Sequence, residues 1–258
     1  MAEHLIVEKS TTLVGSITLN RPEQLNTFNS PMAAELVEAL VSLDEDEAVR
    51  VVIVKGAGKA FCAGIDVNEL ADKSTLEYRA WIEHMEQPLI TIARMKKPVI
   101  AQVQGVAAAN GMGLVAAADL AIAAENTKMG LTAINVGLNC VGPVLPVARC
   151  VGRKKALELL LYGELIKADE ARQLGLINRV VAKDELETEA MVWAEELAKK
   201  SPIAVQIAKK AFYSSEDMDY FRQFDLMNEA FARLCSSDDA KEGVQAFFEK
   251  RNPVWKQC

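Results

Sequence analysis

Histidine is nearly absent from this chain: His4 and His84 are the only two in 258 residues, and the five cysteines are scattered at Cys62, Cys140, Cys150, Cys235 and Cys258. An odd cysteine count with no Cys-x-x-Cys pair argues against a disulfide framework. With so few imidazoles there is no metal-ligand pattern either, so reduced thiols and no metal are expected. Positive charge is also short, because 29 Lys and Arg against 36 Asp and Glu leave a formal net charge of -7 and a pI near 5.1. That balance gives no broad footprint for nucleic acid. The first residues, Met1 to Lys9, lack the apolar core of a signal peptide and include Glu3 and Glu8. Neither secretion nor organelle import is expected, which leaves the cytoplasm. Pro98 to Ala124 has Asp119 as its one charge, yet Gln102, Gln104, Asn110 and its glycines interrupt the apolarity. A buried strand, loop and helix is expected there rather than a membrane span.

Half of the residues are apolar, enough to bury a substantial core, and neither a low-complexity linker nor a clear internal repeat divides the chain. Leu5 to Glu8 and Val14 to Leu19 read as strands, Val51 to Val54 and Val99 to Val103 as buried strands, and Leu120 to Ala123 as extended. Helices are expected from Ser30, whose hydroxyl precedes Pro31 as a cap, to about Asp44, and over Leu76–Met95, Gly113–Ala118, Arg153–Leu161 and Ala168–Leu174, the last stopped by Gly175. This alternation predicts an α/β core. From about Leu186 the pattern turns helical, and we divide the chain into a core over 1–200 and a helical carboxyl-terminal region over 201–258.

Two segments carry most of the functional information. Lys59-Ala60-Phe61-Cys62-Ala63-Gly64-Ile65-Asp66 and Gly105-Val106-Ala107-Ala108-Ala109-Asn110-Gly111-Met112-Gly113 are built from small residues. Such residues let main-chain N–H groups come close to a ligand and stabilise developing negative charge. The pair resembles the crotonase (enoyl-CoA hydratase/isomerase) superfamily. Further matching strings run from Leu19-Asn20-Arg21-Pro22-Glu23-Gln24-Leu25-Asn26 to Glu249-Lys250-Arg251-Asn252-Pro253-Val254-Trp255. The resemblance implies a ββα spiral with a helical carboxyl-terminal region, trimers or dimers of trimers, and an acyl-CoA ester as substrate, with no cofactor beyond the CoA of the thioester. It also implies backbone oxyanion donors at Ala63 and Asn110. CoA contacts are implied at Lys59, Ala60, Ile65 and Asp66, at Arg21, Gln24 and Leu25 on the facing loop, and at Lys250 across a subunit boundary. The terminal helices, including Asp225 to Arg233 and Ala240 to Lys250, carry an apolar stripe suited to cover this subunit's pocket or a neighbour's.

The chain departs from the family's hydratases in its acid–base residues. The resemblance places their two glutamates at Gly113 and Ala133, and the aspartate of dehalogenases and dienoyl isomerases at Val141. In this respect, and in Ala133 to Cys140, the chain looks most like the mitochondrial "enoyl-CoA hydratase domain-containing" branch and its bacterial relatives. Hydration through paired carboxylates is therefore expected to be slow, and glutamates restored at Gly113 and Ala133 are expected to raise it. Glu69, Glu77, Glu83, His84 and Glu86 are the remaining local titratable groups. A solvated helix face is the ordinary place for each, with Glu69 foremost because it follows the first turn by six residues. Cys62 and Cys140 have no histidine partner in sequence and are not assigned as nucleophiles. A CoA-ester binder without catalysis is one alternative. An NAD-dependent dehydrogenase is another, since Gly111-x-Gly113-x-x-Ala116 matches a short dinucleotide fingerprint.

Overall fold

The computed structural model describes residues 4–70 and 72–256, so Met1 to Glu3 and Cys258, considered above, lie outside the described residues. Strand β1 (Leu5–Lys9) pairs antiparallel with β2 (Val14–Leu19), and helix α1 (Ser30–Glu45) leads to β3 (Val51–Gly56). Helix α2 (Thr75–Arg94) connects to β4 (Val99–Val103), and the short β5 (Val106–Ala108) turns directly into α3 (Asn110–Ala117). Next come β6 (Leu120–Ala124), β7 (Lys128–Gly130), α4 (Val144–Val151), α5 (Arg153–Tyr162), β8 (Ile166–Lys167), α6 (Ala168–Gln173) and β9 (Arg179–Val181). Helices α7 (Leu186–Ala198), α8 (Pro202–Ser215), α9 (Tyr220–Cys235) and α10 (Asp238–Glu249) complete the chain. The main sheet runs β1-β2-β3-β4-β6-β9 and is parallel after its first pair, and a second small sheet runs β5-β7-β8. This is the expected α/β class.

Both faces of the main sheet are covered, which explains why its strands read as continuous apolar runs. Along β3, Val52 and Val54 point into the core shared with α1 and α2, while Val51 and Ile53 point to the opposite face. That opposite face is sealed by α7 through Leu186, Ala190, Ala194 and Ala198, a four-residue repeat whose alanines let the helix lie close to the strands. Several local expectations needed revision. Asn29, not Ser30, caps α1: its side chain accepts from the Met32 N–H at 3.0 Å, while the Ser30 hydroxyl is turned toward Glu69. Helix α3 begins at Asn110 rather than Gly113, because Ala109, at φ +50°, already turns the chain. Strands β5, β7, β8 and β9, of two or three residues each, are too short to show a periodicity.

Helix α8 is tied to the core by buried charge. Lys209 Nζ lies 2.7 Å from Asp119 Oδ2 and 2.8 Å from the Lys97 carbonyl, while Tyr213 donates to Asp119 Oδ1 at 2.9 Å and the Val99 N–H to Asp119 Oδ2 at 2.7 Å. Burial lowers the Lys209 pKa and the facing Asp119 carboxylate opposes that shift. Removing one partner of such a pair strands the other charge in the interior. Asp119→Ala is therefore expected to lower stability by about 3–5 kcal/mol, read as a fall in the urea midpoint at fixed protein concentration. Asp119→Leu combined with Lys209→Met is expected to recover much of that loss.

Candidate active site

The two glycine- and alanine-rich turns are paired to each other along their backbones. Cys62 donates its N–H to the Val106 carbonyl at 3.1 Å and accepts from the Ala108 N–H at 2.9 Å, forming a parallel bridge with Ala107. The turns stay close beyond that bridge: a methyl on Gly64 would sit 3.0 Å from the Ala109 side chain. Only glycine permits this approach at Gly111, where a side chain would enter the Cys62 carbonyl, and Gly64 itself has φ +112°.

The hydrogen bonds distinguish the amides already used by the fold from those left free. The Ala63 N–H donates to the Leu25 carbonyl at 3.0 Å, so this expected oxyanion donor is committed within the fold. Ile65 differs. Phe28 donates to the Gly64 carbonyl at 2.8 Å and accepts from the Asp66 N–H at 2.7 Å, so in this parallel bridge the N–H of Ile65 itself points away from Phe28. It meets no acceptor among the described residues. Asn110 opens α3, and the amides of a first helical turn have no intrahelical acceptor. Its side-chain Nδ2 is buried and also lacks a hydrogen-bond partner. Ile65 and Asn110 both line a cavity of about 840 Å³, walled by apolar side chains such as Trp81, Ile82, Val136 and Leu138.

The model of the enoyl-CoA hydratase/isomerase family matches residues 9–258. The chain belongs to this family. The mouse mitochondrial enoyl-CoA hydratase domain-containing protein 3 is 33% identical over 243 residues, covering 94% of this chain and 81% of that protein. Among solved structures, an enoyl-CoA hydratase of Mycobacterium smegmatis superposes with a TM-score of 0.95 at 39% identity, covering 98% of each chain. Human enoyl-CoA hydratase domain-containing protein 3 gives 0.94 at 32% identity, covering 98% of this chain and 100% of that one. The α/β crotonase-like fold expected from the sequence is thereby shown.

Within this family member the residues expected to contact CoA separate into groups. Arg21 and Asp66 are paired at 2.8 Å, with both side chains largely buried, and the Arg21 hydrogen bond holds the Asp66 carboxyl below its ordinary value. Arg21 also donates to the Thr27 carbonyl at 2.6 Å. These two bind each other and brace the turn. Leu25 holds the Ala63 amide, and the buried Ala60 gives its carbonyl to Asn26 Nδ2 at 2.8 Å. Lys59 and Gln24 are exposed and make no side-chain hydrogen bond or ion pair among the described residues. Lys250, at the end of α10, is exposed and does not line the cavity.

The remaining titratable groups separate as clearly. Glu77 closes a capping box with Ser74 at the start of α2, Glu83 pairs with Arg79 at 2.9 Å, and His84 contacts the Ser30 carbonyl at 2.8 Å. Glu69, foremost by sequence, accepts from the Ser30 N–H and hydroxyl and from Trp81 Nε1 at 2.9 Å. Burial works to raise its pKa, but these hydrogen bonds prevail and hold the carboxyl below its ordinary value. Glu69 is a bracket between helices. Glu86, by contrast, lines the cavity and makes no hydrogen bond or ion pair among the described residues, and burial raises its pKa. The signal available in sequence was the stripe Ile82, Met85, Glu86, Leu89, in which a glutamate takes a helix position that otherwise faces the core.

Two further expectations change. A methyl at Gly113 would meet Pro143 Cβ at 2.8 Å and Leu89 Cδ2 at 3.1 Å, so the site has no room for a glutamate there, and restoring that residue is not expected to raise hydration. The dinucleotide reading fails on the same glycines, since Gly111 packs on Cys62 and Gly113 on Pro143 inside the molecule, leaving no open cradle for a pyrophosphate. Cys62 is fully buried, and its thiol is pushed up to about 12 by burial; burial also raises Cys140, whereas Cys235 is exposed. A thiol held in its protonated form reacts slowly. Iodoacetamide at pH 8 followed by peptide mass spectrometry is expected to modify Cys235 and to leave Cys62 and Cys140 intact.

Proposed function

We propose that this protein binds acyl-CoA thioesters and polarises the thioester carbonyl between the backbone N–H groups of Ile65 and Asn110. The observation that carries this reading is that Ile65 and Asn110, each with a main-chain N–H that meets no acceptor among the described residues, line one largely apolar cavity. Such donors are fixed before the substrate arrives, so they stabilise an enolate oxygen without reorganisation. The exposed Lys59 at the start of the turn suits a CoA phosphate. The acyl chain occupies the apolar cavity. With no carboxylate at Gly113 or Ala133, hydration of crotonyl-CoA is slow, and a CoA-ester binder without turnover is the alternative that the same experiment separates.

Calorimetry against a panel of acyl-CoA esters, with turnover followed by mass spectrometry, tests the reading. Binding is expected, and Ile65→Pro, which removes an N–H used by no internal hydrogen bond, is expected to cut turnover on the order of a hundredfold or more while the protein stays folded. Unchanged turnover in that variant would remove Ile65 from the site, and binding without turnover in the parent protein would favour the non-catalytic reading.

The same reading includes self-association. No residue of α9 is buried, and Phe221, Phe224 and Phe231 share one face of it, with Phe221 78% exposed; Phe247 and Phe248 of α10 are exposed as well. Neither helix lines the 840 Å³ cavity of its own subunit. An aromatic face of this kind is suited to burial against another copy. Light scattering is expected to report a trimer or a dimer of trimers, and Phe221→Ser with Phe231→Ser to shift the population toward monomer.

A further inference from the structure

Glu86 is the one carboxylate among the described residues that lines the 840 Å³ cavity. It stands where the stripe of α2 would ordinarily carry an apolar side chain, one turn after Ile82 and beside the fully buried Met85. Its side chain forms part of the wall between this cavity and a second one of about 490 Å³, because Glu86 and Gly142 line both. Gly142 makes this possible: a methyl there would fall on the Glu86 carboxylate itself. The chain therefore keeps a hollow at Gly142 into which this carboxylate fits. A carboxylate with no hydrogen-bond donor among the described residues, in a mostly apolar wall, on the cavity that Ile65 and Asn110 also line, has the surroundings of a working base rather than of a structural anchor. Glu69, Glu77 and Glu83 nearby have the anchored surroundings.

We propose that Glu86 is the acid–base residue of this site, taking the proton from the carbon next to the thioester carbonyl and returning it. The inference rests on the function proposed above. In the forward step the C–H bond breaks, its electron pair enters the enolate, the negative charge settles on the oxygen held by the Ile65 and Asn110 amides, and the proton goes to a Glu86 carboxylate oxygen. Return of that proton to the same carbon regenerates the ester. With a 3-enoyl ester the pair is delocalised to the γ carbon, and return of the proton there yields the 2-enoyl ester. Glu86 ends as it began, and no oxidant, reductant or water is consumed. Hydration needs water to be added and activated as well, and Gly113 and Ala133 supply no second carboxylate for that task. One carboxyl group suits proton shuttling: the substrate class is a CoA thioester with an acidic α C–H, and the reaction is α-proton exchange or 3-enoyl to 2-enoyl isomerisation.

The probe is hexanoyl-CoA in deuterium oxide, with α-deuterium uptake followed by mass spectrometry and binding followed by calorimetry. The parent protein is expected to catalyse uptake. Glu86→Gln is expected to lower the rate by about a hundredfold or more, with the Kd changed less than about threefold. Gly142→Ala retains Glu86 but displaces its carboxylate, and is expected to lower uptake by about tenfold or more, since small misplacements of a catalytic group are costly. This second variant keeps the assignment testable if Glu86→Gln does not fold. Uptake unaffected by both variants, or no uptake by the parent protein despite binding, overturns the role of Glu86 while leaving the thioester site in place. Failure of hexanoyl-CoA and every other ester to bind overturns both.

Discussion

The close backbone contact between the two small-residue turns is the constraint on which the rest of the site depends. Cys62 spends both of its main-chain groups on the second turn, and Gly111 leaves the Cys62 carbonyl the room it needs. Once that bridge is fixed, Ile65 and Asn110, three residues on in each turn, line the same cavity, and the Phe28 bridge takes up Gly64 and Asp66 but not Ile65. The free amides are thus what remains after neighbouring groups have been satisfied. Any side chain at Gly111 would separate the turns and move both donors together.

The frame of the fold could be read from the sequence because its strands and long helices carry strong periodic patterns. Val51 to Val54, Val99 to Val103 and the helix that became α2 emerged within a residue or two of their observed ends. The small sheet did not, since pairing over two or three residues is decided by tertiary contact rather than by local preference. At the site, the two segments were visible as segments, but which amide within the first was free depended on the Leu25 carbonyl and the Phe28 bridge, contacts that cross about forty residues of chain. Ala63 and Ile65 are two residues apart, and spacing alone cannot rank them. Glu69 and Glu86 were exchanged in importance for a similar reason: the partners that fix Glu69 are Ser30 and Trp81, and the hollow that admits Glu86 is at Gly142.

Ion pairing follows the same division between bracing and site. Arg21 with Asp66 and Lys209 with Asp119 are each largely buried and lock a loop or a helix to its neighbour. Such pairs contribute through the cost of breaking them, since a lone charge left in the interior is strongly destabilising. Helix α9 buries none of its residues, α10 is held to α8 by the buried Asp239, which accepts from the Ser201 hydroxyl at 2.7 Å, and both direct their phenylalanines outward. The rigid core and the terminal helices therefore meet different demands: the core holds two amides still, and the helices present surface.

Because the free amides of Ile65 and Asn110 belong to the main chain, the polarising role proposed for them is insulated from most changes in the side chains they bear. A substitution at the half-buried Ile65 alters the volume and polarity of the cavity wall while its N–H keeps its direction, proline excepted. Heritable variation at Ile65 can therefore redirect which ligands fit, step by step, without passing through forms that have lost the free amide. Gly64 and Gly111 have no such latitude, and the burden of preserving the site falls on residues with no side chain to offer.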